Sequence, residues 1–225
     1  MATILSFDEI NSLAREKKEK SIPYSEYFGA MGISEKEKEN RIRLAERLEG
    51  IFFFILSYLY LNMQQLPIES LTGDVRERIL DEMWGDIQRI SEDFGTMNSD
   101  ILTQIIALSG LYIDATLRNF KPNSPQNTAY WISEDRARYN AENMSNFLRN
   151  SFEFFEATEK GNAKKTWHTM ADNRVRETHV PLNGTTIPID HLFTVGESLM
   201  RYPKDASLGA SADEIANCRC WLTYS

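Results

Sequence analysis

Sulfur and imidazole are scarce in this sequence, which holds two cysteines and three histidines in 225 residues. The cysteines, Cys218 and Cys220, stand one residue apart. That spacing excludes a disulfide framework and is not the Cys-x-x-Cys knuckle of common zinc modules. Long apolar runs are missing as well. A membrane-spanning helix needs roughly 20 apolar residues, and the longest run here, 51–61, has eleven with Ser57 among them. The opening Met1-Ala2-Thr3-Ile4-Leu5-Ser6 has neither the basic start nor the apolar stretch of a secretory signal. Synthesis in a reducing cytoplasm is therefore expected. Internal repeats and low-complexity tracts are absent too.

Positive charge is also in deficit, with 25 basic against 33 acidic side chains and a formal net charge of -8. Such a balance argues against a chain that coats nucleic acid by bulk electrostatics. The deficit is uneven. Residues 161–225 carry seven of each sign, so the whole excess lies in the first 160 residues, with 18 basic and 26 acidic. The C-terminal stretch is the less repulsive surface for a polyanion.

What remains is ordinary globular material, 42% hydrophobic and 26% charged, long enough to bury a sizeable core. The pattern is helical through most of the chain. Ser6-Phe7-Asp8-Glu9 reads as a capping box opening a first helix with a charged end, and Pro23 and Gly29 bracket an aromatic insert of Tyr24, Tyr27 and Phe28. A second capping box, Ser34-Glu35-Lys36-Glu37, opens the longest helical stretch, free of proline to Leu66. Its stripe of Ile42, Ala45, Leu48, Phe52, Ile55 and Leu59 should face a core. Where residues 51–61 turn apolar all round, a central buried helix is preferred over membrane insertion, with an oligomer interface as a third reading. Helices follow over 74–94 and 100–120, the latter capped by Asn98 or Ser99 and striped by Ile101, Ile105, Leu108, Tyr112 and Ala115. The loop 121–127 is the candidate linker. Ser133 caps a helix over 134–160 that Gly161 ends, with Ala137, Ala141, Met144, Leu148, Phe152 and Phe155 along one side.

After residue 161 short segments separated by Pro181, Pro188, Pro203 and several glycines replace the long helices. Strands are expected over 164–170, 185–189 and 218–224, with a turn at Asn183-Gly184. The fold class is thus α+β: an all-helical region over 1–127, then a small domain over 128–225 made of a linking helix (133–160) and an α+β tail (161–225) with a short antiparallel sheet.

All three histidines (His168, His179, His191) and both cysteines fall in that tail, where any chemistry should reside. In a strand over 218–224 the two-residue period sends Cys218, Cys220, Leu222 and Tyr224 to one face, and Arg219, Trp221 and Thr223 to the other. The sulfurs then lie side by side, able to hold a shared metal or simply to pack. Upstream, Asp172 can cap a short turn in which Arg176 and His179 share a face. A zinc site would take His179, Cys218 and Cys220, with His168, His191 or Asp172 as fourth ligand. The plainer reading, with no cofactor, treats both cysteines as small core residues. A nuclease would use His179 or His168 as general base and Arg174 and Arg176 against phosphate charge. The plainer reading pairs those arginines with Asp172 and Glu177 and leaves the chain without catalysis. Trp167 is read as core. Lys164, Lys165, Arg201 and Lys204 could contact DNA, together with Arg174, Arg176 and Arg219, if the sheet gathers them.

The order Lys165-Thr166-Trp167, then Asp172-x-Arg174-x-Arg176-x-x-His179, Ile187-Pro188-Ile189-Asp190, Phe193, Gly196, Pro203-x-Asp205, Ser207-Leu208-Gly209-Ala210 and Asn217-Cys218-Arg219-Cys220 resembles the C-terminal domain of the bacteriophage minor head proteins. This is the head morphogenesis family typified by the F protein of phage Mu. Many members carry an Arg-Thr-Glu step on the preceding helix, and the corresponding register here holds Glu142-Asn143-Met144. The resemblance implies a non-enzymatic, low-copy virion component made in the host bacterial cytoplasm and placed inside the head near the portal vertex. It also implies action in capsid assembly, DNA packaging or DNA delivery, with portal protein and capsid or scaffold subunits as partners, phage DNA as a further one, and no membrane. In this reading Trp167, Asp172, Arg174, Arg176, His179, Cys218, Arg219 and Cys220 form a constellation that fixes the tail.

Overall fold

Alternation of apolar and polar residues at helical spacing dominates the described part of the chain, and helices dominate the computed structural model, which describes residues 22–65, 74–119 and 129–225. Helix α1 (Tyr24–Gly29) turns its three aromatics, Tyr24, Tyr27 and Phe28, into the core. Helix α2 (Glu35–Gln65) starts where its serine predicts, with the Glu37 backbone N–H donating to Ser34 Oγ at 3.2 Å. Glu37 does not close the expected capping box; its carboxylate accepts from Arg41 and Arg149 instead. Helix α3 spans Asp74–Ser91 and α4 spans Ser99–Asn119, with Asn98 Oδ1 accepting from the Ile101 N–H at 2.9 Å. Helix α5 (Glu134–Glu159) is capped by Ser133 and closed by Gly161 at φ 75°, the left-handed conformation that glycine adopts without steric cost. The helix expected after Ser6 and the 121–127 linker lie outside the described residues.

The predicted stripes are the buried ones. Ala45, Leu48, Phe52, Ile55 and Leu59 of α2 and Ile101, Ile105 and Leu108 of α4 all enter one core, with Ala137, Ala141, Met144, Leu148 and Phe152 of α5. Residues 51–61 are not buried all round: Phe54 (64% exposed), Tyr58 and Leu61 (53%) lie on an outer face. Among the described residues α4 is long and apolar enough to cross a bilayer, a test that buried core helices also pass.

Helix α5 departs most from its sequence pattern, because its polar side is buried too. Asn140, Glu142, Asn143, Ser145, Asn146, Arg149, Asn150 and Ser151 are all inside. One side meets α2, where the fully buried Arg41 guanidinium donates to Glu37 (2.9 Å), Asn150 (3.2 Å), Glu153 (2.8 Å) and Asn146. Arg149 completes the network with a two-pronged contact to Glu37 at 2.9 and 2.6 Å. The helical front and the C-terminal unit are therefore joined by a desolvated ionic seam, the kind of contact that needs every charge answered.

The tail is a three-stranded antiparallel sheet in the order β2-β1-β5, with β1 Lys164–His168, β2 Thr186–Pro188 and β5 Trp221–Tyr224. Beside it stands a hairpin of β3 (Phe193–Val195) and β4 (Ser198–Met200). Strand β1 is central and alternates cleanly: Lys165 and Trp167 point inward, Lys164, Thr166 and His168 outward. Strands are shorter than expected, and the last begins at Trp221 rather than at residue 218. The hairpin has no counterpart in the sequence reading, since three-residue strands give a two-residue period too little length to register.

Candidate functional site

The side chains that the sequence singled out arrive at one place by three local devices. Leaving β1, the chain turns at Ala171 (φ 53°), and Asp172 Oδ1 accepts from the Arg174 N–H at 3.0 Å. The Arg176 carbonyl then accepts from the N–H groups of His179 (2.9 Å) and Val180 (3.0 Å), which sets the imidazole beneath the edge of Trp167. From the other direction a one-turn helix α6 (Ala212–Ile215) supplies Glu214. Asn217, at φ 56°, then bends the chain so that Cys218 and Cys220 both point inward.

His179 Nδ1 lies 3.4 Å from Cys220 Sγ and 3.7 Å from Cys218 Sγ, and the three ligand-type atoms fall within 4.8 Å of one another. His179 Nε2 sits 2.9 Å from Glu214 Oε2, which also accepts from Thr178 Oγ1 at 2.8 Å. The imidazole is 1% exposed and the cysteines 1% and 3%. Both cysteines are free thiols. Their mutual hydrogen bond, with His179 and Lys204 alongside, holds the Cys218 thiol well below its usual range and pushes the Cys220 thiol up. Burial disfavours the charged imidazole, but Cys218 and Glu214 outweigh it and raise His179 above its ordinary value.

A second layer holds this knot in place, and the sequence reading missed it. Asn146 Nδ2 donates to the carbonyls of Cys218 (3.0 Å) and Cys220 (3.4 Å), and Asn150 Nδ2 donates to that of Cys220 at 3.1 Å. Asn143 Oδ1 accepts from the Asn217 N–H at 3.0 Å and from Lys204 Nζ at 2.6 Å. Because Arg41 donates to both Asn146 and Asn150, the front helix α2 is linked to the cysteine segment through two amides. The signal was present: Asn143, Asn146 and Asn150 recur at three and four residues, one face of a helix. Glu214 had no such signal, since its role depends on where α6 lands.

Other expected site residues are placed elsewhere. His168 stacks on Trp221 with its Nε2 2.8 Å from Thr223 Oγ1, and His191 is exposed beside Asp190. Asp172 accepts from Arg219 Nη2 at 2.6 Å. None of the three candidates for a fourth ligand joins the cluster. Arg176 donates to the Ala216 carbonyl rather than pairing with Glu177, and Asp172 takes Arg219 rather than the Arg174 guanidinium as its ion-pair partner. The proposed DNA-contact set does not form one surface. Lys165 is fully buried, donates to the Arg201 carbonyl at 2.8 Å and faces the rings of Phe154 and Phe193. Lys204 is buried against Asn143 and the Ile215 carbonyl. Burial lowers both ammonium groups to about 8. Arg201 is occupied by Asp205 and Asp100, leaving Lys164 as the exposed member of the four. Two-residue alternation forced this outcome for Lys165, which shares its strand face with Trp167.

A helical front joined by buried charge to α5, with a histidine and two thiols knotted behind the central strand of a small sheet, makes up an α+β fold. His179 has both nitrogens engaged and no solvent access, a poor arrangement for exchanging protons with a substrate. The chain belongs to the family described as Phage Mu protein F like protein, whose model matches residues 107–223, more than half of the sequence. That makes it a phage head-related protein, with a virion component as the family's general character. The match extends upstream of the ordered tail motifs, across α5 with its amide stripe and into α4. No curated protein and no solved structure matches the chain.

Proposed function

We propose that this protein is a structural, non-enzymatic minor component of the phage head, acting near the portal vertex in assembly, packaging or delivery of DNA, with its helical front as the docking element for portal or capsid subunits. The observation that carries the docking role is the outer face of α2. Phe54 and Leu61, two turns apart, are 64% and 53% exposed, on a helix whose inner face is locked to α5 by Arg41. Large aromatic and aliphatic side chains held at fixed spacing on a rigid helix are suited to a groove on a partner. The deficit of positive charge and the burial of Lys165 and Lys204 favour protein over DNA as the principal partner.

The test places Phe54→Asp and Leu61→Asp together in the phage. Because both side chains face outward, the purified variant should melt close to the parent while its recovery in purified heads falls at least about tenfold, the loss of about 1.4 kcal/mol or more of docking energy. Heads that incorporate the variant at parental copy number and deliver DNA normally would overturn the docking role.

A further inference from the structure

The knot of His179, Cys218 and Cys220 contains an unusual feature for a plain core: one ring nitrogen faces two sulfurs. A nitrogen carries at most one hydrogen, so a simple N–H···S bond accounts for one of the two approaches, at 3.4 and 3.7 Å. A tetrahedral zinc ion with Zn–S near 2.3 Å and Zn–N near 2.0 Å sets its nitrogen and sulfur ligands about 3.5 Å apart, and the two observed separations bracket that edge.

We propose that His179 Nδ1, Cys218 Sγ and Cys220 Sγ bind one zinc-class divalent cation, leaving a fourth position for water or a small anion. Two further observations support the site. Glu214 Oε2 accepts from His179 Nε2–H at 2.9 Å, which fixes the tautomer whose Nδ1 lone pair points at the sulfurs, the carboxylate–histidine arrangement found behind metal ligands. Asn146 and Asn150 pin the carbonyls of both cysteines, so the sulfurs are held before any ion arrives. Two thiolates neutralise a dication, and sulfur ligation selects zinc over magnesium or calcium. A shallow groove edged by Arg174, Arg176 and Arg219 leads to the sulfurs. The ion would fasten the Asp172-to-His179 turn to the segment entering β5, independently of what the front helix docks on.

The full chain, purified under reducing conditions without chelator, is assayed for metal by elemental analysis, then stripped and titrated with cobalt(II) as spectroscopic probe. The expected result is one equivalent of metal per chain and, with cobalt, a thiolate charge-transfer band with intense four-coordinate d–d bands saturating at one equivalent. Cys218→Ser and Cys220→Ser should each abolish the charge-transfer band, and Glu214→Gln should weaken affinity about 10- to 100-fold. The titration of the unaltered chain stands even if a cysteine variant does not fold. A fully reduced chain that takes up no stoichiometric metal, or that binds cobalt without the thiolate band, overturns the site.

Discussion

Replacing Arg41 by methionine should be among the most damaging single changes in the described structure. The guanidinium has no solvent access, and it answers two carboxylates, Glu37 and Glu153, whose side chains are 10% and 22% exposed. Removing one member of a buried ionic network costs about 3–5 kcal/mol, chiefly because the remaining charge stays desolvated and unpaired. For a chain of this length each kcal/mol moves the melting temperature by about 2–4 °C, so the variant should melt roughly 6–20 °C below the parent at pH 8. The deficit should depend on pH in a defined sense. Burial raises the Glu153 carboxyl to about 7 even though Arg41 pulls it down. A carboxyl whose folded pKa lies above its unfolded one keeps its proton longer in the fold, so its contribution to stability is full at low pH and declines as pH rises from about 4.5 through 7. Without Arg41 the folded value climbs further, and the loss relative to the parent should be smaller at pH 5 than at pH 8. Denaturant unfolding followed by circular dichroism at both values measures this. A loss under about 1 kcal/mol at pH 8, or one equal at the two pH values, would refute the account of the seam as an obligate ionic network.

Other consequences follow from single positions. Glu142, 6% exposed with Oε1 unpartnered, is raised to about 8 by burial against the pull of Arg138. Its fold therefore weakens as pH rises from about 4.5 to 8, and Glu142→Gln should flatten that slope and gain about 2–4 kcal/mol at pH 8.5. Unfolding curves of the two proteins across pH would show parallel slopes if the reasoning fails. At Gly95 an added Cβ would lie 2.6 Å from Phe152 Cδ2, so Gly95→Ala should lower stability by about 1–3 kcal/mol through displacement of a core ring; an unchanged melting temperature would contradict it. Incubation of the purified chain with RNA and with DNA should yield no cleavage above that of a His179→Ala variant, because His179 is sealed between Glu214 and the thiols.

Periodicity and capping chemistry depend on neighbours along the chain, and these were legible in the sequence. Ser34, Asn98 and Ser133 start the helices that their side chains predict, and the stripes on α2, α4 and α5 are the faces that enter the core. The ordered tail motifs pointed to the family, and cysteines two residues apart were expected to share a side, although the strand assumed for them begins only at Trp221; that His179 lies against both was one of two readings the spacing left open, and the tertiary structure places it there. What sequence could not decide was which polar residues are buried, because that depends on what each surface meets. Lys165 reads as a surface cation until strand alternation beside Trp167 sends it inward, and Lys204 until the turn at φ 71° aims it at Asn143. Nothing in the sequence around Arg41 and Arg149 marks them as buried; that follows only from α2 and α5 pressing together and closing each guanidinium onto Glu37. Local rules fixed where each helix begins and which stripe is apolar; only the packing of α2 and the tail together against α5 determined that its amides and charges would be the joint between them, since a hydrogen bond between residues 72 or 105 positions apart has no signature in either neighbourhood alone.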